Sequence, residues 1–181
     1  NKMIMYVGKN YAPGGYLWIF PKGDSFANIG IGISGKYSKE KSAKKYLDEF
    51  LEREFPNSFI VPEGGTNDLA VKGCEEILTA EDEQFDIICS PVGTGGTISG
   101  LINASKKHQK ILGFPALKGD FLQKEIDKFA EKNNYELILD YHFDGYAKVN
   151  VELIEFINKF NEENNIPLDP IYTGKMVFGI F

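Results

Sequence analysis

The sequence predicts an α/β protein: an antiparallel β piece with one helix at the N-terminus, then βαβ units on a mainly parallel sheet. Three observations carry this reading. Up to about Gly35 the apolar residues come in short runs, rich in β-branched and aromatic side chains and split by Gly, Pro and Asp. From Ser38 the apolar spacing turns helical. After Asn57, strand-like runs alternate with amphipathic stretches of helical length, as crossover units require.

Taken in order, "MIMYVG", "GYLWIFP" and "ANIGIGIS" read as strands, with turns predicted at Ala12-Pro13-Gly14-Gly15 and Lys22-Gly23-Asp24-Ser25. In the middle strand Tyr16, Trp18 and Phe20 share one face while Leu17 and Ile19 share the other, so cover is expected on both sides. Ala43, Tyr46, Leu47, Phe50 and Leu51 fall at helical spacing, with Ser38 as the expected N-cap and Pro56 forbidding continuation much past Phe55. "SFIVP" then reads as a buried strand and Asn67–Leu78 as a helix. "FDIICSPV", "KILGFP" and "YELILDY" read as strands, followed by helices over Gly95–Ala104, Phe121–Glu131 and Val151–Asn161. Two segments are therefore expected, residues 1–56 rich in β and residues 57–181 of α/β type.

Composition excludes several function classes. With 181 residues, 43% hydrophobic and 25% charged, the chain has the make-up of one globular domain or two small ones. No run approaches the roughly 18 apolar residues of a membrane span, and no signal-peptide pattern opens the chain. A net charge of -6 and a pI near 5.0 argue against a nucleic-acid partner. Two cysteines, Cys74 and Cys89, and two histidines point to a reduced, cytoplasmic protein without a metal centre. Arg53 is the only arginine among 20 basic residues, so a bound anion must rely on backbone N–H groups, hydroxyls or lysine. The chain opens at Asn1 directly before an apolar run and stops inside "KMVFGIF", which reads as a fragment.

The chemistry concentrates in "CSPVGTGGTISG", Cys89–Gly100. Gly93-Thr94-Gly95-Gly96-Thr97 follows a strand and opens a helix, where free N–H groups and the helix dipole favour an anion. The glycines let a phosphate approach the backbone, and the Thr94 and Thr97 hydroxyls add donors. The loop has neither the Lys-Ser/Thr of a Walker motif nor G-x-G-x-x-G spacing. The pattern alone leaves open a phosphate site or a tight strand-to-helix turn. His142, Cys89 and Cys74 read as packing residues.

Five stretches, "VPEGGTN" (Val61–Asn67), "GTGGTISGL" (Gly93–Leu101), "GFPALKGDFL" (Gly113–Leu122), "YHFDGYAK" (Tyr141–Lys148) and "PLDPIYTGKM" (Pro167–Met176), stand in the order and spacing of one family. Together they resemble the 1-aminocyclopropane-1-carboxylate deaminase/D-cysteine desulfhydrase family, pyridoxal-phosphate enzymes of the tryptophan-synthase β-like fold (fold type II). The resemblance runs from about Asn57 to Phe181. It implies that Gly93, Thr94, Gly95, Gly96 and Thr97 hold the cofactor's phosphate, that Thr173 faces the pyridine nitrogen, and that Tyr172 is a catalytic-site residue near the substrate. A neutral Thr173 where strict deaminases tend to carry Glu leans toward desulfhydrase-like β-elimination. Asp144 stands where the family usually has glycine. The implied products are ammonia, a 2-oxo acid and, for a thiol substrate, sulfide.

The Schiff-base lysine of that family lies upstream of the "PEGGTN" stretch, and residues 1–56 supply no counterpart, so little or no turnover is expected of this chain alone. What stands there, "APGGYLWIFPKGDSFANIGIGI" (Ala12–Ile33), resembles the signature of geranylgeranyl reductases, flavoproteins that saturate isoprenoid double bonds. That resemblance implies FAD as cofactor of the whole enzyme and lipid contacts by Tyr16, Trp18, Phe20, Gly30 and Gly32. The flavin-binding unit is absent from the sequence. The chain thus reads as two enzyme fragments joined between Lys36 and Ser58. Three functions follow: part of a deaminase or desulfhydrase acting on a small amino acid, part of an isoprenoid reductase, or a non-catalytic anion-binding or packing module. A partial α/β sheet makes a homo-oligomer a reasonable expectation.

Overall fold

The structure is a computed structural model that describes residues 2–61 and 63–181; Asn1, and Pro62 within the "VPEGGTN" stretch, lie outside the described residues. The chain divides into two compact units, Asn1–Ile60 and Val61–Phe181.

In the first unit, β1 (Ile4–Gly8), β2 (Ala12–Pro21) and β3 (Ala27–Gly32) form an antiparallel sheet in the order β1-β2-β3. A one-turn helix α1 (Gly35–Ser38) precedes α2 (Ala43–Glu54). Ala12-Pro13-Gly14-Gly15 is not a turn, contrary to expectation. The chain reverses over residues 9–11, where the Tyr11 N–H bonds the Gly8 carbonyl, and a register shift between Val7 and Gly8 lets β2 begin at Ala12. The Pro13 carbonyl accepts from the Ser34 N–H.

The helix cap also differs. Ser42, not Ser38, caps α2, accepting from the Lys45 N–H at 3.2 Å. Ser38 ends α1, and its hydroxyl donates to the Gly35 carbonyl.

The sheet is covered on one face, not two. Ala12, Leu17 and Ile19 pack with Phe50 and Leu51 of α2 into one core cluster. Tyr16, Trp18 and Phe20 stand on the opposite face, where Tyr16 is 47% and Phe20 38% exposed. Met5 and Val7 lie beside Trp18 and Tyr16 in the β1–β2 register.

The second unit carries a parallel sheet of β4 (Ile87–Val92), β5 (Lys110–Pro115) and β6 (Tyr135–Leu137), in that order. Around it run α3 (Asp68–Cys74), α4 (Gly96–Ala104), α5 (Leu122–Ile126), α6 (Val151–Asn164) and α7 (Thr173–Ile180). Its core cluster joins Val92 and Ile111 of the sheet to Ile98 and Ile102 of α4 and to Leu122 and Ile126 of α5. Ile98 and Ile102 stand one turn apart, as an inward-facing helical stripe requires.

Several expected bounds move. Residues 58–61 of the expected strand "SFIVP" form none, its last residue Pro62 lying outside the described residues: Phe59 is 80% and Val61 65% exposed, and among the described residues no strand pairs with this run. β-branched composition makes a strand only where a neighbouring strand exists. α5 closes early because the Phe129 and Ala130 N–H groups both turn to the Ile126 carbonyl. α3 stops at Cys74 and β6 at Leu137, both short of expectation, while α6 runs past Asn161 to Asn164 before Asn165 turns left-handed at φ 54°. α7, which the apolar end of the sequence does not announce, begins after a carboxylate-capped turn described below.

Candidate functional site

Strand β4 delivers the chain to Gly93, and the helix α4 opens at Gly96. Its N-cap is Gly95 at φ 95°, a left-handed position where a side chain is disfavoured, and no side chain caps the helix. The N–H groups of the first turn therefore lack the partner that most helices supply from their own sequence. A Cβ at Gly95 would also reach 3.0 Å from Ile126 Cγ1.

The loop faces the segment after Val61. Thr66 Oγ1 and Thr94 Oγ1 are 2.7 Å apart, one hydroxyl donating to the other. An added Cβ would meet Thr94 Oγ1 at 2.5 Å from Gly64, which has φ 75°, and Thr66 Oγ1 at 2.9 Å from Gly96. Glycine at both places is thus what lets the two loops approach. Asn67 turns the chain into α3, its Oδ1 accepting from the Ala70 N–H at 3.0 Å. Gly100 of α4 then meets α3 at close range.

Between these parts lies an open cleft of about 330 Å³. Its lining includes Gly93, Thr94, Gly95, Gly96, Thr97 and Tyr172, so six of the positions singled out in the sequence come together. Thr66, Gly64 and Cys74 line it as well. Thr66 belongs to the "GGTN" stretch and was open to the same reasoning as Thr94; Cys74 gave no sign beyond its place on a helix. The Cys74 Sγ is 4.0 Å from Thr97 Oγ1. Cys89, on β4, has its thiol pushed up by burial, which keeps it protonated.

Tyr172 closes one wall, and a Cβ at Gly93 would lie 3.4 Å from its hydroxyl oxygen. Burial first, and then the Tyr146 hydroxyl, hold its phenol above the ordinary tyrosine range. Thr173 does not line the cleft with these residues. Its Oγ1 donates to Asp169 Oδ2 at 2.6 Å and accepts from the Asp169 N–H at 2.9 Å. The Asp169 carboxylate also takes the N–H groups of Ile171, Tyr172 and Thr173, which starts α7. Burial raises Asp169, but these hydrogen bonds outweigh it and hold the carboxyl below its usual range.

The residues expected to contact lipid lie in the first unit. Trp18 is paired with Gly30 and Tyr16 with Gly32 across β2 and β3. The indole lies over Gly30, where a Cβ would come within 2.2 Å of its ring, while the space at Gly32 is open. Tyr16 and Trp18 centroids are 5.7 Å apart, and Trp18 and Phe20 6.1 Å.

Comparisons with known proteins find both likenesses. Residues 1–65 match the family of the geranylgeranyl reductase catalytic domain. A digeranylgeranylglycerophospholipid reductase of Methanococcoides burtonii is 31% identical over 139 residues, which is 73% of this chain and 33% of the reductase. The bifunctional D-cysteine desulfhydrase/1-aminocyclopropane-1-carboxylate deaminase of Arabidopsis thaliana is 30% identical over 176 residues, covering 85% of this chain and 44% of the plant protein. Among solved structures, an ACC deaminase homologue superposes with a TM-score of 0.65 at 26% identity, over 83% of this chain and 52% of that one. The chain resembles two families and spans about a third to a half of the proteins it matches. A match covering 85% of the chain must enter residues 1–65, so the two likenesses overlap.

Proposed function

We propose that residues 57–181 are the phosphate-holding part of a pyridoxal-phosphate-dependent deaminase or desulfhydrase acting on a small amino acid, and that this chain alone does not turn substrate over. The observation that carries the reading is the uncapped start of α4, flanked by the Thr66–Thr94 hydroxyl pair. The residues fit the group: close backbone approach at Gly95 and Gly96, free first-turn N–H groups and hydroxyls suit a phosphate dianion. Pyridoxal phosphate would supply an electron-withdrawing ring able to take up charge from the substrate Cα.

The chain's own residues would bind and orient. Thr94, Thr97 and the α4 amides hold the phosphate, and Tyr172 limits the space on the substrate side. The Thr173 proton is committed to Asp169, so toward a ring nitrogen Thr173 would offer only a lone pair. The small amino-acid substrate, the desulfhydrase preference, a homo-oligomer and a cytoplasmic setting belong to the same proposal.

The test is a titration with pyridoxal phosphate of the purified chain and of a T94A/T97A variant, followed by borohydride reduction and mass mapping. Binding that the variant loses, with no single lysine labelled, is the expected result. Specific labelling of one lysine, or ammonia or sulfide released from D-cysteine above the free cofactor's rate, would refute the claim of inactivity. Equal affinity for inorganic phosphate, sulfate and pyridoxal phosphate would make the unit an anion-binding module instead.

A second reading rests on the first unit's open aromatic face. There we propose a lipid-contacting strand of a flavin-dependent isoprenoid reductase, with Tyr16, Trp18 and Phe20 against the isoprenoid, Gly30 seating the Trp18 indole and Gly32 giving room. Quenching or a blue shift of Trp18 fluorescence by geranylgeranyl lipid in detergent micelles, beyond that of micelles alone, is its expected signature.

A further inference from the structure

Lysine is among the least expected residues in a protein interior, yet Lys175 on α7 is 1% exposed. Among the described residues no carboxylate pairs with it, and burial pushes its ammonium below the ordinary lysine range. Its Nζ donates instead to two backbone carbonyls, those of His142 and Gly145, each at 2.8 Å. The same two carbonyls accept the Gly145 and Lys148 N–H groups at 3.0 and 3.2 Å. An apolar side chain of similar length would fill the space without burying a charge, so packing alone does not explain a cation here.

The loop it grips is strained. Phe143, Asp144 and Ala147 all have positive φ, at 52°, 66° and 56°, besides Gly145 at 118°. Non-glycine residues enter that region only where the surroundings hold them. The surface pair Lys118–Asp144 at 3.3 Å is exposed and adds little. Phe143 packs edge-on against Phe178 of α7, with centroids 5.1 Å apart. The next residue in the loop after Gly145 is Tyr146, whose ring meets Tyr172 edge-on at 6.1 Å. Tyr172 lines the cleft.

We propose that Lys175 is a positioning residue for the cleft: its ammonium clamps the His142 and Gly145 carbonyls, holds loop 142–147 in its left-handed course, and so seats Tyr146 against the Tyr172 wall. This rests on the cleft being the site proposed above, but its test needs no ligand. The clamp works through donors rather than bulk, and it ties the geometry of the wall to one side chain that never reaches the cleft.

The readout is the titration of Tyr172, followed by NMR in the ligand-free chain carrying ring-labelled tyrosine, with the signal assigned through Y172F. The groups facing that phenol are Tyr146 and Asp169. In the wild-type chain Tyr172 titrates above the ordinary tyrosine value of about 10. K175M releases the loop, and the Tyr172 midpoint falls as the Tyr146 contribution is lost, while burial and Asp169 keep acting on it. K175M/D144G restores part of the shift, because glycine accepts the left-handed position without strain.

An unchanged Tyr172 midpoint in folded K175M would overturn the proposal and leave Lys175 a core residue only. If K175M does not fold, the double variant is read against D144G alone by the same criterion. Hydrogen exchange of the wild-type chain needs no variant at all. Protected Gly145 and Lys148 amides are expected, and exchange of both at the rate of free peptide would overturn the clamp.

Discussion

One methyl group added at Gly100 should separate α3 from α4. An ideal Cβ there would stand 2.5 Å from Cys74 Cβ, 2.7 Å from the Val71 carbonyl oxygen and 2.8 Å from the Cys74 carbonyl carbon. Two of those three atoms are backbone, so no rotamer change relieves the clash. Ordinary carbon contacts need about 3.5–4.0 Å, and the helices must part by about an ångström. Overpacking of this kind costs about 1–3 kcal/mol, while alanine in a helix recovers at most about 1 kcal/mol over glycine. The net expectation for G100A is a loss of up to about 2 kcal/mol, from the difference of those two effects. Gly73 on α3 is the matched control, since a Cβ there meets nothing within 4 Å. G73A keeps only the propensity gain, a rise of about 0.5–1 kcal/mol. Urea unfolding followed by far-UV circular dichroism measures both, with the slope of the transition unchanged and the midpoints moving in opposite directions. A G100A chain as stable as G73A would refute the reasoning, for it would mean that α3 does not lie against α4 at Gly100. Because α3 follows Thr66 in the chain, G100A should also weaken the phosphate binding proposed above more than G73A does.

Two further outcomes are expected. The folded-state Asp169 carboxyl lies below its ordinary value, so its stabilisation is present above pH about 4 and is lost as pH falls through the depressed folded value. D169A should therefore cost about 1 kcal/mol near neutrality, as a lost helix cap does. The gap from wild type should narrow in acid; a gap constant with pH in urea melts would count against the cap. In the first unit G30A should push the indole of Trp18, the only tryptophan, off the sheet and shift its emission to the red, because the added Cβ would stand 2.2 Å from the ring. Unaltered emission would mean that the indole does not rest on Gly30.

Where local pattern and tertiary pairing agree, the fold was legible. β4, β5 and α4 stand where "FDIICSPV", "KILGFP" and the glycine-rich start placed them, because each has its neighbour in the same unit. "SFIVP" has strand composition, but among the described residues no strand pairs with residues 58–61, and no local signal reports a missing neighbour. Ala12–Gly15 carries turn residues, yet the reversal falls just before it, since a register shift at Gly8 is invisible to composition. α7 went unread because its start is set by Asp169, four residues ahead of Thr173, through four hydrogen bonds that spacing alone does not reveal. For the cleft, the Gly93–Thr97 stretch was readable as a glycine-rich start of a helix, which α4 is. Thr66 and Lys175 were visible only as members of quoted motifs, because the burial of Lys175 is a property of the loop folded over it.

The open face of the first sheet has a practical consequence. Met5, Val7 and Tyr16 are 49%, 69% and 47% exposed side by side, next to Trp18, so water wets a continuous apolar strip. Such a strip is attracted to its like, and salts that are excluded from protein surfaces strengthen the attraction. The chain should therefore salt out at low ammonium sulfate concentration, be retained on phenyl resin and gain solubility from mild detergent, even though its net charge of -6 would favour dispersal. A chain with V7K on that strip should lose all three behaviours while keeping the Leu17–Phe50 core beneath it.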